Sequence, residues 1–198
     1  REITIAEHRI ADDAPCYVIA ELGHNHGGSV QTAREMIQVA AQCGADAVKL
    51  QKRDNDTLYA TALLDAPYEN ENSFGPTYGA HRKALEFDLT DYAECKSTGI
   101  LAGIQFFATA FDEPSADFLM HLDVPAIKLA SGSLADTTLL QHVSSLGIPI
   151  ILSTGGGIWA DVDRAVDVLT AAGARFALLH CTAAYPVHDP CELNLRVI

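Results

Sequence analysis

Short, nearly continuous apolar runs alternate along the chain with stretches whose apolar residues recur every three or four positions. The first run, CYVIAEL (16–22), predicts a buried strand. The stretch SVQTAREMIQVAAQCG (29–44) follows, and Val30, Ala33, Ile37, Ala40 and Ala41 fall on one face of a helix. Ser29 is placed to cap its start and Gly44 to end it. DAVKLQ (46–51) predicts the next strand and completes one βαβ unit. The pattern then repeats. Helix 89–99, with Thr90 as its cap, precedes strand 104–111. Helix 113–122, with Pro114 in its first turn, precedes strand 126–131. Helix 137–147 precedes strand 149–154, and helix 159–173 precedes strand 175–182. Strands this short and this uniformly apolar belong in a parallel sheet covered by helices.

Residues 52–88 interrupt that rhythm between the second strand and the next regular helix. A connection this long marks a functional loop or an oligomer contact. Its last part, GAHRKALEF (79–87), predicts a short helix. Serial βα units fit either a (β/α)8 barrel or an open doubly wound sheet. The doubly wound fold brings a GxGxxG turn after its first strand, and GHNHGG (23–28) does not match it. The expected fold is therefore α/β, a (β/α)8 TIM barrel of which residues 1–198 supply about the first six βα units. The start at Arg1 and the ending LNLRVI (193–198) read as cut ends, with the last barrel units lying outside this chain.

Thirteen basic residues against 26 acidic ones give a formal charge of −13, which argues against nucleic acid or an anionic membrane as partner. An anionic ligand would need locally placed lysines and backbone N–H groups. The five cysteines (16, 43, 95, 181 and 191) form no CxxC pair and read as those of a reduced, cytoplasmic chain. No apolar run approaches the roughly 18 residues of a membrane span, and no signal peptide is visible.

Polar residues gather at the carboxyl ends of the apolar runs. They are Glu21; Lys49 and Gln51; Thr109; Lys128 and Ser131; Ser153, Thr154 and Gly155; and His180 and Thr182. In a barrel these collect on one rim, where barrel active sites lie. Lys49 and Lys128 carry most information, because an unpaired lysine in AVKLQ or AIKLAS would cost several kcal/mol to bury. One such lysine can snorkel to water from an edge strand. Two near one rim point to a phosphate or carboxylate of a ligand. SGS (131–133) and STGGG (153–157) add hydroxyls and unobstructed N–H groups, although either alone is an ordinary βα loop. His24 and His26 have HxH spacing, but zinc needs a third protein ligand, and loop histidines are more often hydrogen-bonded scaffold. Adjacent His180 and Cys181 point to opposite faces of a strand, which argues against a catalytic dyad and places Cys181 in the core. Histidines 8, 81, 121, 142 and 188 have no ligand spacing and read as surface or hydrogen-bonded side chains.

VIAELGHNHGGSVQTAREMIQVAAQCGADAVKLQ (18–51), IKLASGS (127–133), PIILSTGG (149–156) and ALLHCTAAYPV (177–187) resemble, in order and spacing, the sialic acid synthase family, whose members make N-acetylneuraminate, legionaminate and pseudaminate. The resemblance implies a (β/α)8 barrel followed by an antifreeze-like domain, and a domain-swapped homodimer. It implies condensation of phosphoenolpyruvate with an N-acetylated amino sugar, N-acetylmannosamine-like, to a nine-carbon 2-keto sugar acid plus phosphate. It also implies a divalent metal, Mn2+ or Mg2+, held by histidines beyond residue 198. By resemblance, Lys49, Lys128, Ser131 and Ser153 match phosphoenolpyruvate-binding positions, and Glu21 and Gln51 match polar positions around the sugar. Asn25 and His26 fall on the family's NH pair, and Tyr185 lies in the loop after strand six. The candidate catalytic residues are Glu21, Lys49 and Lys128. The candidate substrate-binding residues are Asn25, His26, Gln51, Thr109, Ser131, Ser133, Ser153 and Tyr185. Three positions depart from the family pattern: Ser133 stands where an acid is usual, Ala183 where Ser or Asn is usual, and His24 where an aliphatic residue is common. These departures keep two alternatives open, another phosphoenolpyruvate-condensing barrel enzyme and a non-catalytic sugar-phosphate-binding homologue.

Overall fold

The computed structural model describes residues 2–198, which divide into two compact units, residues 15–125 and residues 2–14 with 126–198. The chain opens with an antiparallel hairpin, β1 (Glu2–Ile5) and β2 (His8–Ala11), in which Glu2 faces Ala11 and Ile5 faces His8. Ile3 and Ile5 are buried while Glu2 and Thr4 are exposed. That period-two alternation was present in the sequence, but a four-residue strand gives it little length to register.

In the unit of residues 15–125, β3 (Ile19–Gly23), β4 (Ala47–Lys52) and β5 (Gln105–Ala110) pair in parallel, with Glu21 opposite Lys49 and Gln51 opposite Thr109. β3 begins later than the apolar run. The Val18 N–H donates to Asp46 Oδ2 and the Val18 carbonyl accepts from Asp46 and Ala47, so this residue is tied to the turn before β4. Between them runs α1 (Val30–Gln42), its Ser29 hydroxyl accepting from the Thr32 N–H at 3.2 Å and its buried face made of Ala33, Ile37 and Ala40.

The long insertion is largely helical. It holds α2 (Asn55–Leu58), α3 (Thr61–Leu64) and α4 (Tyr78–Leu85), the last close to the expected short helix and capped by Thr77. α5 (Leu89–Ala102) is capped by Asp88 rather than Thr90. Asp88 and Asp91 each accept the other's backbone N–H, a reciprocal cap that satisfies two orphan donors where Thr90 could satisfy one. α6 (Glu113–His121) is capped by the buried carboxylate of Asp112.

In the other unit, β6 (Ile127–Leu129), β7 (Ile150–Ser153) and β8 (Phe176–Leu179) also pair in parallel, separated by α7 (Thr137–Ser145) and α8 (Trp159–Ala171). β6 and β7 are buried along their whole length, as continuous apolar runs require. The chain thus has the expected α/β fold, three parallel strands per unit in the serial βα order of a barrel's first six units. No described helix is long and apolar enough to cross a membrane.

Candidate active site

Strand alternation puts Lys49 and Gln51, and Arg53 just past the strand end, on one face of β4. Lys49 is 6% exposed. Its ammonium is ion-paired with Glu21, its register partner, and donates to Thr109 Oγ1 at 2.7 Å. Burial pulls the Lys49 pKa down, and the Glu21 carboxylate opposes that pull. Glu21 remains half exposed, so the pair has a wet end where a ligand can compete for the lysine. Gln51 links this group to the next, its Nε2 donating to Glu21 Oε1 at 3.3 Å and its Oε1 accepting from Arg53 at 2.8 Å. Gly23 has φ +56, and a Cβ there would sit 3.2 Å from Glu21 Oε1 and 3.3 Å from Gln51 Nε2. The bare backbone leaves both side chains room.

Arg53 is buried, with its guanidinium carbon 3.6 Å from the Phe111 ring centroid and Nη1 3.4 Å from His24 Nε2. Burial, and then the Arg53 charge, lower the His24 pKa to about 3. His24 is therefore neutral near pH 7 and its Nε2 accepts from Arg53. For the same reason the 3.5 Å approach of Glu86 Oε1 to His24 Nε2 is not an ion pair at that pH. Where the sequence resemblance expects an aliphatic residue, this chain has an acceptor that orients a buried arginine.

His26 is scaffold. It stacks on Phe87 at 4.1 Å, its Nδ1 accepts from the Gly28 N–H at 3.1 Å, and burial lowers its pKa to about 4. Asn25 is exposed. On the opposite face of β4, Lys52 donates to Glu86 Oε2 at 3.2 Å and to the Phe87 carbonyl at 3.0 Å. Burial raises the Glu86 pKa, with Lys52 opposing. Asp112 accepts from the Asp54 N–H at 2.9 Å and so ties the start of the insertion to α6.

The second unit carries its own buried lysine. Lys128 on β6 is 7% exposed and donates to the Leu129 carbonyl and to Ser153 Oγ on β7. Ser131 Oγ accepts from the Gly155 N–H at 3.0 Å, and a Cβ on Gly155 would lie 2.9 Å from that hydroxyl. Ser133 is buried in a short 3-10 turn, Ser131–Ser133. Cys181 is partly exposed, contrary to the expected core position, because β8 ends at Leu179 and the alternation of a strand no longer governs it. Its Sγ lies 3.3 Å from Ser153 Oγ. His180 donates to the Leu193 carbonyl at 2.7 Å, and Tyr185 is 97% exposed.

The structure thus joins Glu21, Lys49, Gln51 and Thr109 in one cluster, and Lys128 with Ser153 in another. Asn25 and Tyr185 join neither. Arg53 and Glu86 were not singled out from the sequence, whereas His24 was noted for its HxH spacing and its departure from the family pattern, and Cys181 as a core residue. Arg53 was legible as the next same-face residue after Lys49 and Gln51, whereas Glu86 carried no pattern.

The NeuB family model matches residues 36–198. The chain belongs to the NeuB family. Its relatives include N-acetylneuraminate-9-phosphate synthase of Mus musculus, 36% identical over 93% of this chain and 51% of that protein. They also include N,N'-diacetyllegionaminic acid synthase of Legionella pneumophila, 37% identical over 92% of this chain and 53% of that protein. The solved N-acetylneuraminic acid synthetase of Leptospira borgpetersenii, in complex with citrate, superposes with a TM-score of 0.83 at 32% identity, covering all of this chain and 65% of its own. This NeuB chain spans about half the length of the curated relatives it matches.

Proposed function

We propose that this chain supplies the phosphoenolpyruvate-binding groups of a synthase that condenses phosphoenolpyruvate with an N-acetylated amino sugar aldehyde. The products are a nine-carbon 2-keto sugar acid and phosphate. The observation that carries this reading is the burial of Lys49 and Lys128, 6% and 7% exposed, each bonded to a neighbouring strand's hydroxyl. A buried ammonium beside a hydroxyl suits a phosphate or carboxylate oxygen. The relatives' names, sialic and legionaminic acid synthases, support the same chemistry.

In the proposed reaction the C3 carbon of phosphoenolpyruvate attacks the aldehyde carbon, and the aldehyde oxygen takes a proton. Water adds at C2 and gives up a proton. The C2–O bond to phosphate then breaks, leaving the 2-keto acid. Lys49 in one unit, and Lys128, Ser131 and Ser153 in the other, each offer donors suited to the oxygens of an anionic substrate. Thr109 orients the Lys49 ammonium. Glu21, the carboxylate of the Lys49 cluster, is the proposed proton-transfer group, because Ser133 stands where the resemblance expects an acid.

The reading includes Mn2+ or Mg2+, a homodimer and a cytoplasmic location. Among the described residues no three His, Cys, Asp or Glu side chains converge as a metal site requires. The described residues do not fit the metal, its ligands are proposed to come from outside residues 2–198, and no step above is assigned to it.

The experiment is to incubate the protein with phosphoenolpyruvate, Mn2+ and a panel of N-acetylated amino sugars, measuring phosphate and 2-keto acid. Absence of phosphate release across the panel would count against the synthase. Phosphoenolpyruvate binding without turnover would favour a non-catalytic homologue, the reading that buried Ser133 favours.

A further inference from the structure

We propose that Cys181 is a positioning residue, whose thiol donates to Ser153 Oγ and so turns the Ser153 proton towards an anionic oxygen of phosphoenolpyruvate. This rests on the synthase reading above and adds to it a residue that acts through another.

The starting point is a count of lone pairs. The Leu179 carbonyl, at the end of β8, accepts from the Thr154 N–H at 3.1 Å and from the Thr154 hydroxyl at 2.9 Å. A carbonyl oxygen has two lone pairs, so both are taken. Cys181 Sγ lies 3.5 Å from that oxygen and 3.3 Å from Ser153 Oγ. The thiol has one proton to give, and Ser153 is the nearer acceptor with a lone pair to receive it.

Ser153 Oγ also meets the Lys128 ammonium. An ammonium can only donate, so the serine oxygen accepts there. With the thiol on its second lone pair, the oxygen has its own O–H left to bond. Ser153 is 7% exposed, and no described residue accepts that proton. A buried hydroxyl proton without an acceptor calls for one. The opposite arrangement, with Ser153 donating to sulfur, spends the proton on a weak acceptor and aims the thiol at a carbonyl already filled.

The main chain fixes where the thiol starts from. A Cβ on Gly155 would lie 3.2 Å from both the Cys181 Cβ and its carbonyl oxygen, and 2.9 Å from Ser131 Oγ. The bare Gly155 backbone therefore lets the chain after β8 approach β7 and the Ser131 turn. Cys181 stays partly exposed, so the cluster has a side open to a ligand. A hydroxyl that accepts from an ammonium is itself a stronger donor. A carboxylate or phosphate oxygen is the acceptor that suits it.

The test is a double-mutant cycle on phosphoenolpyruvate binding, read by calorimetry. Cys181→Ala should raise the Kd about tenfold, and Cys181→Ser, which keeps a donor, should recover most of that loss. In a Ser153→Ala background Cys181→Ala should change the Kd less than about twofold, because the thiol then has no hydroxyl to orient. Unchanged or tighter binding in Cys181→Ala overturns the proposal. So does a full loss in the Ser153→Ala background, which would give the thiol a role of its own. The infrared S–H stretch tests the same bond without ligand. The band that disappears in Cys181→Ser should sit at the low frequency of a bonded thiol and move up in Ser153→Ala. If the wild type binds no phosphoenolpyruvate, the synthase reading fails on that result. The infrared band then decides the role of the thiol by itself: a band that moves in Ser153→Ala upholds it, and a band that stays overturns it.

Discussion

Lys49 on β4 donates to Thr109 on β5 at 2.7 Å, two residues beyond its register partner Phe107. Two residues along a parallel ladder return the side chain to the same face, so register alone brings the two together. Lys49→Met removes the buried charge and keeps most of the stem volume. Glu21, half exposed, can rehydrate. We expect a stability change within about 1 kcal/mol by urea denaturation, because buried ion pairs add little net stability. We expect a fall in phosphoenolpyruvate-dependent turnover of about 100-fold or more. A loss of about 3 kcal/mol would instead make Lys49 a structural residue.

His24 and His26 give the fold a defined weakness to acid. Burial holds their folded pKa values at about 3 and about 4, against about 6.5 for a free histidine. Above pH 6.5 both rings are neutral whether folded or not. As pH falls below that, the unfolded chain takes up protons that the folded chain refuses, so stability is lost from about pH 6.5 down towards pH 4 and 3. Urea midpoints should drop between pH 7 and 4.5. The drop should be smaller in His24→Gln, which keeps an acceptor for Arg53. An identical pH slope in the variant would remove His24 from this role.

Gly28 has φ +80, and a Cβ there would be driven into the Ala84 carbonyl oxygen at the end of α4. Gly28→Ala should cost about 2 kcal/mol or more, combining a left-handed backbone with a clash against main chain. Gly44→Ala, with φ +86 and open space around it, should cost less, near the backbone term alone. Equal losses by thermal or urea unfolding would contradict the close approach of α4 to the first loop.

Cys181 reports on the Lys128 cluster, since its Sγ lies 3.3 Å from Ser153 Oγ. Exposed Cys16, Cys43 and Cys191 serve as internal controls, and burial raises the Cys95 thiol to about 12, leaving it unreactive. Phosphoenolpyruvate at ten times its Kd should slow alkylation of Cys181 about tenfold and leave the controls unchanged, as read by mass spectrometry. An unprotected Cys181 would take Ser153 and Lys128 out of substrate binding.

Much of the fold was legible because period is a local property. The βα alternation, the α1 face with its Ser29 cap, and the six strands follow from spacing within single segments. The first hairpin escaped because its strands have four residues each. The Thr90 cap was superseded by Asp88, whose carboxylate completes a reciprocal pair with Asp91. At the candidate site, Lys49 and Lys128 stood out as charges in apolar runs. His24 stood out by its spacing, but its contact did not, because nothing in its neighbours announces an arginine placed 29 residues away.

The sequence by itself determined the order of the βα units and the face on which Lys49, Gln51 and Arg53 lie, since alternation along a strand decides which way a side chain points. Only the tertiary structure decided what those side chains meet. Thr109 is 60 residues from Lys49, and Ser153 is 25 from Lys128. Strand periodicity carries no information about register across such distances. Nor does it set the burial that keeps His24 neutral beside Arg53. Those properties come from burial and from charges that folding alone brings together.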